Sequence, residues 1–172
     1  EFIINNDYID GSSLVDKYDN VIMLRTFSKL HGLASLRLGW GYCSEYILSN
    51  LMKVRGPFSV NTAAMLAGIA AIEDIQFQEN SVAHNLEWMP WFEKELKLLK
   101  LDFQTSVTNF LLIKFPDEIL NNAQNAIKFL AERGILVRGM DAYGLPNYLR
   151  VSIGNEEENI AFIKQLKSFL DN

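Results

Sequence analysis

The chain has 172 residues, a net charge of −5, and 49% hydrophobic against 22% charged residues. This is globular composition; it excludes disorder, and the acidic balance argues against a nucleic-acid binder held by phosphate attraction. Cys43 is the single cysteine, so no internal disulfide or cysteine metal cage can form, and a reducing cytoplasmic setting is the default.

The chain opens in an apolar run, Phe2 to Ile4, which predicts a buried strand. It has no initiator Met there, which predicts a piece of a longer protein whose N-terminal part is not included. Asp10 to Asp16 reads as a polar loop. Asn20 to Arg25 is apolar almost throughout and predicts a strand of a parallel sheet covered on both faces. Thr26 to Ser35 reads as a loop with a short helix, and Leu36 to Tyr42 as a third strand. Ser44 to Val54 predicts a helix capped by Ser44. Asn61 to Asp74 predicts an Ala-rich buried helix; its apolar stretch, Thr62 to Ile72, is too short to span a membrane. Phe77 to Leu99 predicts a longer amphipathic helix, started, kinked or interrupted by Pro90. Asn109 to Phe115 predicts a strand, Asn121 to Arg133 a helix stopped by Gly134, and Ile135 to Arg138 and Tyr148 to Ile153 two more strands. Glu156 to Leu170 predicts a last helix capped by Asn155, with acidic residues in its first turn. The order divides into an α/β portion to about Asp74 and an α+β portion from about Phe77.

The chemistry concentrates in Arg25 to Trp40 (RTFSKLHGLASLRLGW). Lys29 follows directly on a strand and sits among Thr26, Ser28 and Gly32. Desolvation there lowers the pKa of an amine and makes it a nucleophile suited to a Schiff base. Thr26 and Ser28 bring hydroxyls and Arg37 a planar fork for phosphate, a set that suits an aldehyde cofactor carrying a phosphate. A lone lysine near Ser and Gly is ordinarily a plain loop residue, and a lone arginine in an alternating strand ordinarily faces solvent or an ion pair. Spacing alone leaves both readings open. His31 has no carboxylate or second His at ligand spacing, so no metal site is expected, and His84 is expected on a helix surface. Trp40, Trp88 and Trp91 read as core or interface.

Thr26-Phe27-Ser28-Lys29, followed by Gly32-Leu33-Ala34-Ser35-Leu36-Arg37-Leu38-Gly39, resembles the lysine motif of the fold-type I aminotransferases that use pyridoxal 5'-phosphate. Within them the chain is most similar to the histidinol-phosphate aminotransferases. Further matches follow in order: Lys53 to Phe58, Asn109 to Leu112, Arg133 to Arg138, and Leu149 to Gly154 with Glu157, Glu158 and Asn159. The resemblance implies the C-terminal half of that fold. Residues 1–75 would be the remaining part of the cofactor-binding large domain, at the edge of its mixed, mostly parallel sheet. Residues 76–172 would be a small α+β C-terminal domain.

It also implies roles. Lys29 matches the Schiff-base lysine, and Thr26, Ser28 and Arg37 match phosphate-binding positions. Tyr8 matches the tyrosine that hydrogen-bonds the cofactor's phenolic oxygen. Arg150 matches the arginine that grips a substrate carboxylate or other anion, and Arg138 one that helps bind the substrate phosphate. Asn5 stands where the family carries an Asp on the pyridine nitrogen; an amide bonds the nitrogen without supplying charge, which weakens the electron sink. The implied reaction is transfer of an amino group between histidinol phosphate, or a related amine, and 2-oxoglutarate, in histidine biosynthesis. The implied assembly is a cytoplasmic homodimer with small-molecule substrates, no nucleic acid and no membrane, and these residues alone are expected to be inactive. The alternatives are a decarboxylase of a phosphorylated amino acid, an aromatic aminotransferase, or an inactive piece retaining only the fold.

Overall fold

A computed structural model of the chain describes residues 1–3 and 8–171, which divide into two compact units, Ile3–Val82 and Ala83–Asn172, with Glu1 in the first and Phe2 in the second. Asn5 and Ile4 lie outside the described residues. Phe2 is buried but belongs to no strand, so the strand expected at the start is not formed by Phe2 and Ile3.

In the first unit, α1 (Gly11–Lys17) occupies the stretch expected to be a polar loop. The Asp10 side chain accepts from the Ser12 N–H at 2.6 Å and starts the helix, and Val15 is its one buried residue. Strand β1 (Ile22–Thr26) pairs antiparallel with β2 (Gly39–Cys43), Arg25 opposite Trp40 and Thr26 opposite Gly39. The run that reads as apolar throughout alternates here: Leu24 is 71% exposed, whereas Arg25 and Thr26 are half-buried. Helix α2 (Glu45–Val54) is capped by Ser44 and α3 (Thr62–Glu73) by Asn61. Expected to be buried, α3 buries only Ala64 and Gly68 and leaves Met65, Leu66, Ile69 and Ile72 exposed.

Helix α4 (Ile75–Leu98) carries the chain from the first unit into the second. Pro90 lies inside it and does not end it, because Met89, Phe92 and Leu96 on the same stretch are buried and their packing outweighs a lost backbone bond.

The second unit holds a four-stranded antiparallel sheet in the order β3-β4-β6-β5, formed by β3 (Asp102–Gln104), β4 (Phe110–Lys114), β5 (Arg138–Gly139) and β6 (Tyr148–Ser152). Two more helices complete it, α5 (Ala123–Ala131) and α6 (Glu156–Leu170). Leu111, Ile113, Leu149 and Val151 turn one face of the sheet into a core shared with Phe92 and Leu96 of α4, Leu130 of α5, and Phe162 and Leu166 of α6. The opposite face carries Phe110, Leu112, Arg150 and Ser152. β5 is shorter and later than the strand expected over Ile135 to Arg138. Gly134 takes a left-handed φ of 76° and the Ile135 N–H returns to the Leu130 carbonyl at 3.0 Å, so Ile135 closes the end of α5 instead of pairing. Among the described residues no helix is long and apolar enough to cross a membrane.

Candidate active site

Lys29 sits in the bend directly after β1, half-buried between the buried anchors Phe27 and Leu30. Backbone bonds close the bend: Phe27 N–H to Leu38 O at 3.1 Å, Leu33 N–H to Phe27 O at 2.9 Å, and Gly32 N–H to Lys29 O at 3.0 Å. Gly32 has a φ of 66°, which a side chain would disfavour. Thr26 Oγ1 accepts from the Ser28 N–H at 3.0 Å, leaving the hydroxyl proton to be donated elsewhere. Arg37 follows the short 3-10 turn Ala34–Leu36 with a left-handed φ of 55°, and its guanidinium donates to the Ala34 carbonyl at 2.6 Å. Thr26, Ser28 and Lys29 therefore stand together at the end of β1, and Arg37 lies two residues before the strand paired with it.

Tyr8 is 50% exposed and lines a cavity of about 350 Å³ with Asp10, Arg25, His31 and Trp40. Arg25 and Asp10 form an ion pair at 3.0 Å there. Ser12, through its N–H and then its hydroxyl, and Arg25 by its charge hold the Asp10 carboxyl below its ordinary value. The His31 ring lies 4.8 Å from that of Phe27, and its Nδ1 is buried without a partner. Nothing in the spacing of the sequence singled out this environment for His31.

In the second unit Arg138 on β5 and Arg150 on β6 are register partners. Both line a cavity of about 790 Å³ with Ser152, Gly154, Glu157 and Glu158. Arg138 donates to the Tyr143 hydroxyl at 3.0 Å. The Arg150 guanidinium lies 4.9 Å from the centre of the Phe110 ring, and its Nε is buried and unpartnered. Among the described residues neither arginine makes an ion pair. Glu158 already accepts from the Asn155 N–H at 2.9 Å in a capping box. Phe110 and Tyr143 are contributors that sequence reasoning missed; a period-2 reading from Phe110 would have put it on the arginine face. His84, expected on an open helix surface, is half-buried and meets the Gly154 carbonyl at 2.8 Å.

The profile described as "Aminotransferase class I and II" matches residues 2–166. The chain belongs to the class I and II aminotransferases. This aminotransferase chain is 46% identical over 170 residues to a histidinol-phosphate aminotransferase of Maricaulis maris, covering 99% of the chain and 47% of that relative. It spans about half the length of the curated relatives it matches. Among solved structures, the histidinol-phosphate aminotransferase of Sinorhizobium meliloti in complex with pyridoxal-5'-phosphate superposes with a TM-score of 0.80 at 24% identity, covering 93% of this chain and 43% of that one. A decarboxylase from Sulfurospirillum multivorans superposes with a TM-score of 0.81 at 26% identity, covering 98% and 50%. The aminotransferase chain thus has the mixed α/β architecture expected from its lysine motif.

Proposed function

We propose that the protein carrying this chain transfers an amino group between histidinol phosphate, or a related phosphorylated amine, and 2-oxoglutarate, as a step of histidine biosynthesis in the cytoplasm. The observation that carries the reading is the Arg138–Arg150 pair. Two like charges opposite each other in a ladder repel, and the described residues offer them no carboxylate partner. A phosphate dianion gripped from two sides answers both charges. The 46% identity to a histidinol-phosphate aminotransferase supports the same substrate.

The donor set fits pyridoxal 5'-phosphate: a primary amine on Lys29, hydroxyls on Thr26 and Ser28, and the guanidinium of Arg37, all on one strand pair and its connecting bend. When bound, this cofactor supplies an electron-poor ring that stabilises negative charge at the carbon losing its proton. Lys29 holds it, and Thr26, Ser28 and Arg37 take its phosphate. Tyr8 would donate to its phenolic oxygen, and Asn5, which matches the ring-nitrogen position by resemblance, would supply no charge there. Lys29 Nζ would take the proton from the substrate carbon that bears the amino group and later return one as acid. Arg138 and Arg150 hold the substrate's anionic part. Residues 1–75 belong in this reading to the cofactor-binding domain and 76–172 to the small domain, in a homodimer.

Lys29→Ala in the full-length protein is expected to abolish transfer and the yellow absorbance formed with pyridoxal phosphate. Turnover retained within about tenfold would overturn the assignment. The likeness to a decarboxylase favours one second reading, decarboxylation of a phosphorylated amino acid. Carbon dioxide released without any need for 2-oxoglutarate would establish that reading in place of transfer.

A further inference from the structure

Gly154, on the turn between β6 and α6, is held through its N–H and its carbonyl from two helices. Asn159 on α6, 1% exposed, accepts the Gly154 N–H on Oδ1 at 2.8 Å and donates Nδ2–H to the Gly154 carbonyl at 3.0 Å. His84 on α4 reaches the same carbonyl through Nε2 at 2.8 Å, across 70 positions of sequence. A carbonyl only accepts, so the proton in this contact is on Nε2. A side chain at 154 is excluded, since its Cβ would lie 2.6 Å from Glu158 Oε2 and 2.9 Å from Glu158 Cβ.

This turn ends the strand that presents Arg150. Arg150, Ser152 and Gly154 line the cavity that Arg138 shares, and the neighbouring strand β5 is only two residues long. Repulsion between the arginines is therefore opposed by little ladder on that side. The His84 bond ties the turn to α4, where the large core of the unit is anchored by Phe92 and Leu96. Removing it leaves the Gly154 carbonyl with its Asn159 partner, so no buried polar group is orphaned and the fold is retained. What is lost is position, and bidentate recognition of an anion is steeply sensitive to position.

We infer that His84 is a positioning residue for the Arg138–Arg150 pair: by donating Nε2–H to the Gly154 carbonyl it fixes the end of β6, and with it the guanidinium that meets the substrate phosphate. The inference rests on the reading of those arginines as the phosphate grip.

The test uses the full-length protein with histidinol phosphate and 2-oxoglutarate. His84→Phe keeps a ring and removes the donor. It is expected to raise KM for histidinol phosphate about tenfold, with kcat within about twofold and pyridoxal phosphate affinity unchanged by absorbance titration. His84→Gln places an amide Nε2 donor at similar reach and is expected to restore KM to within about twofold. If the Phe variant does not fold, His84→Asn, whose amide stops short of Gly154, replaces it with the same expectation. Unchanged KM in the donor-less variant, failure of Gln to rescue, or joint loss of kcat and cofactor affinity each overturns the inference. Arg150→Ala run alongside separates the two layers. If it raises KM and His84→Phe does not, only the His84 inference falls; if it leaves KM unchanged, the phosphate reading falls and takes the inference with it.

Discussion

Arg138 and Arg150 face each other directly across β5 and β6; Arg138 donates to the Tyr143 hydroxyl, whereas Arg150 Nε is buried without a partner among the described residues. The two are therefore not equivalent. Arg150 is half-buried over Phe110 with its Nε unpartnered, whereas Arg138 is exposed.

Arg150→Ala should cost about 2–3 kcal/mol in transition-state binding, on the order of a hundredfold in kcat/KM for a phosphorylated amine. Arg138→Ala should cost less, because that guanidinium is solvated and shared with Tyr143. Equal, negligible effects of the two would identify an ordinary surface pair. Without any anion, Arg138→Gln should raise stability by about 0.2–1 kcal/mol, since one of two opposed like charges is gone, and inorganic phosphate should stabilise the parent more than the variant in thermal melts.

Gly39 lies opposite Thr26, and a Cβ there would meet the Arg25 carbonyl oxygen at 2.8 Å. That atom is backbone and cannot swing away. Gly39→Ala should therefore open the β1–β2 ladder beside the Thr26 hydroxyl proposed to take the cofactor phosphate, destabilising by about 1–3 kcal/mol and weakening cofactor binding. A melting curve and cofactor titration indistinguishable from the parent would contradict this.

The Asn159 side chain makes both of these bonds to one residue, accepting the N–H of Gly154 and donating to its carbonyl. Asn159→Leu fills the space but leaves the Gly154 N–H without its partner, a loss of about 1–3 kcal/mol. Urea denaturation reads it; a neutral result would mean that solvent reaches the turn.

What could be read from the residues beforehand was what is encoded locally. Ser44 and Asn155 occupy the N-caps expected of them because their side chains reach an N–H three positions on. The alternation over Tyr148 to Ile153, expected to be a strand, puts Arg150 and Ser152 on one face. The lysine motif placed Lys29 at a strand end because Thr26, Ser28 and Gly32 surround it there. What escaped depends on partners far along the chain. Gly11, Ser12 and Ser13 are weak helix formers, and α1 rests on the Asp10 cap. β3, at three residues, is too short to show a period and exists through its pairing with β4. His84 reads as a surface residue until Gly154 is folded against it. The exact opposition of Arg138 and Arg150 is a register, which neither strand's pattern specifies alone.

Asp10 gives a pH signature. Its carboxyl is held below the ordinary 3.8 in the fold, so the stability it contributes is complete above that value and is lost as pH falls through the folded pKa. Asp10→Asn should melt below the parent at neutral pH, with the gap closing only in acid. A gap that closes well above the ordinary carboxylate range, or that persists when the carboxylate is fully protonated, would mean that Asp10 acts otherwise than by its charge.

Arg37 holds a φ of 55°, a conformation that suits glycine and costs an arginine about 1 kcal/mol. Arg37→Gly should accordingly raise the melting temperature while reducing affinity for pyridoxal phosphate. The two properties would then respond to opposite pressures at one position: a library screened for thermal survival would enrich glycine at 37, and one screened for turnover would purge it.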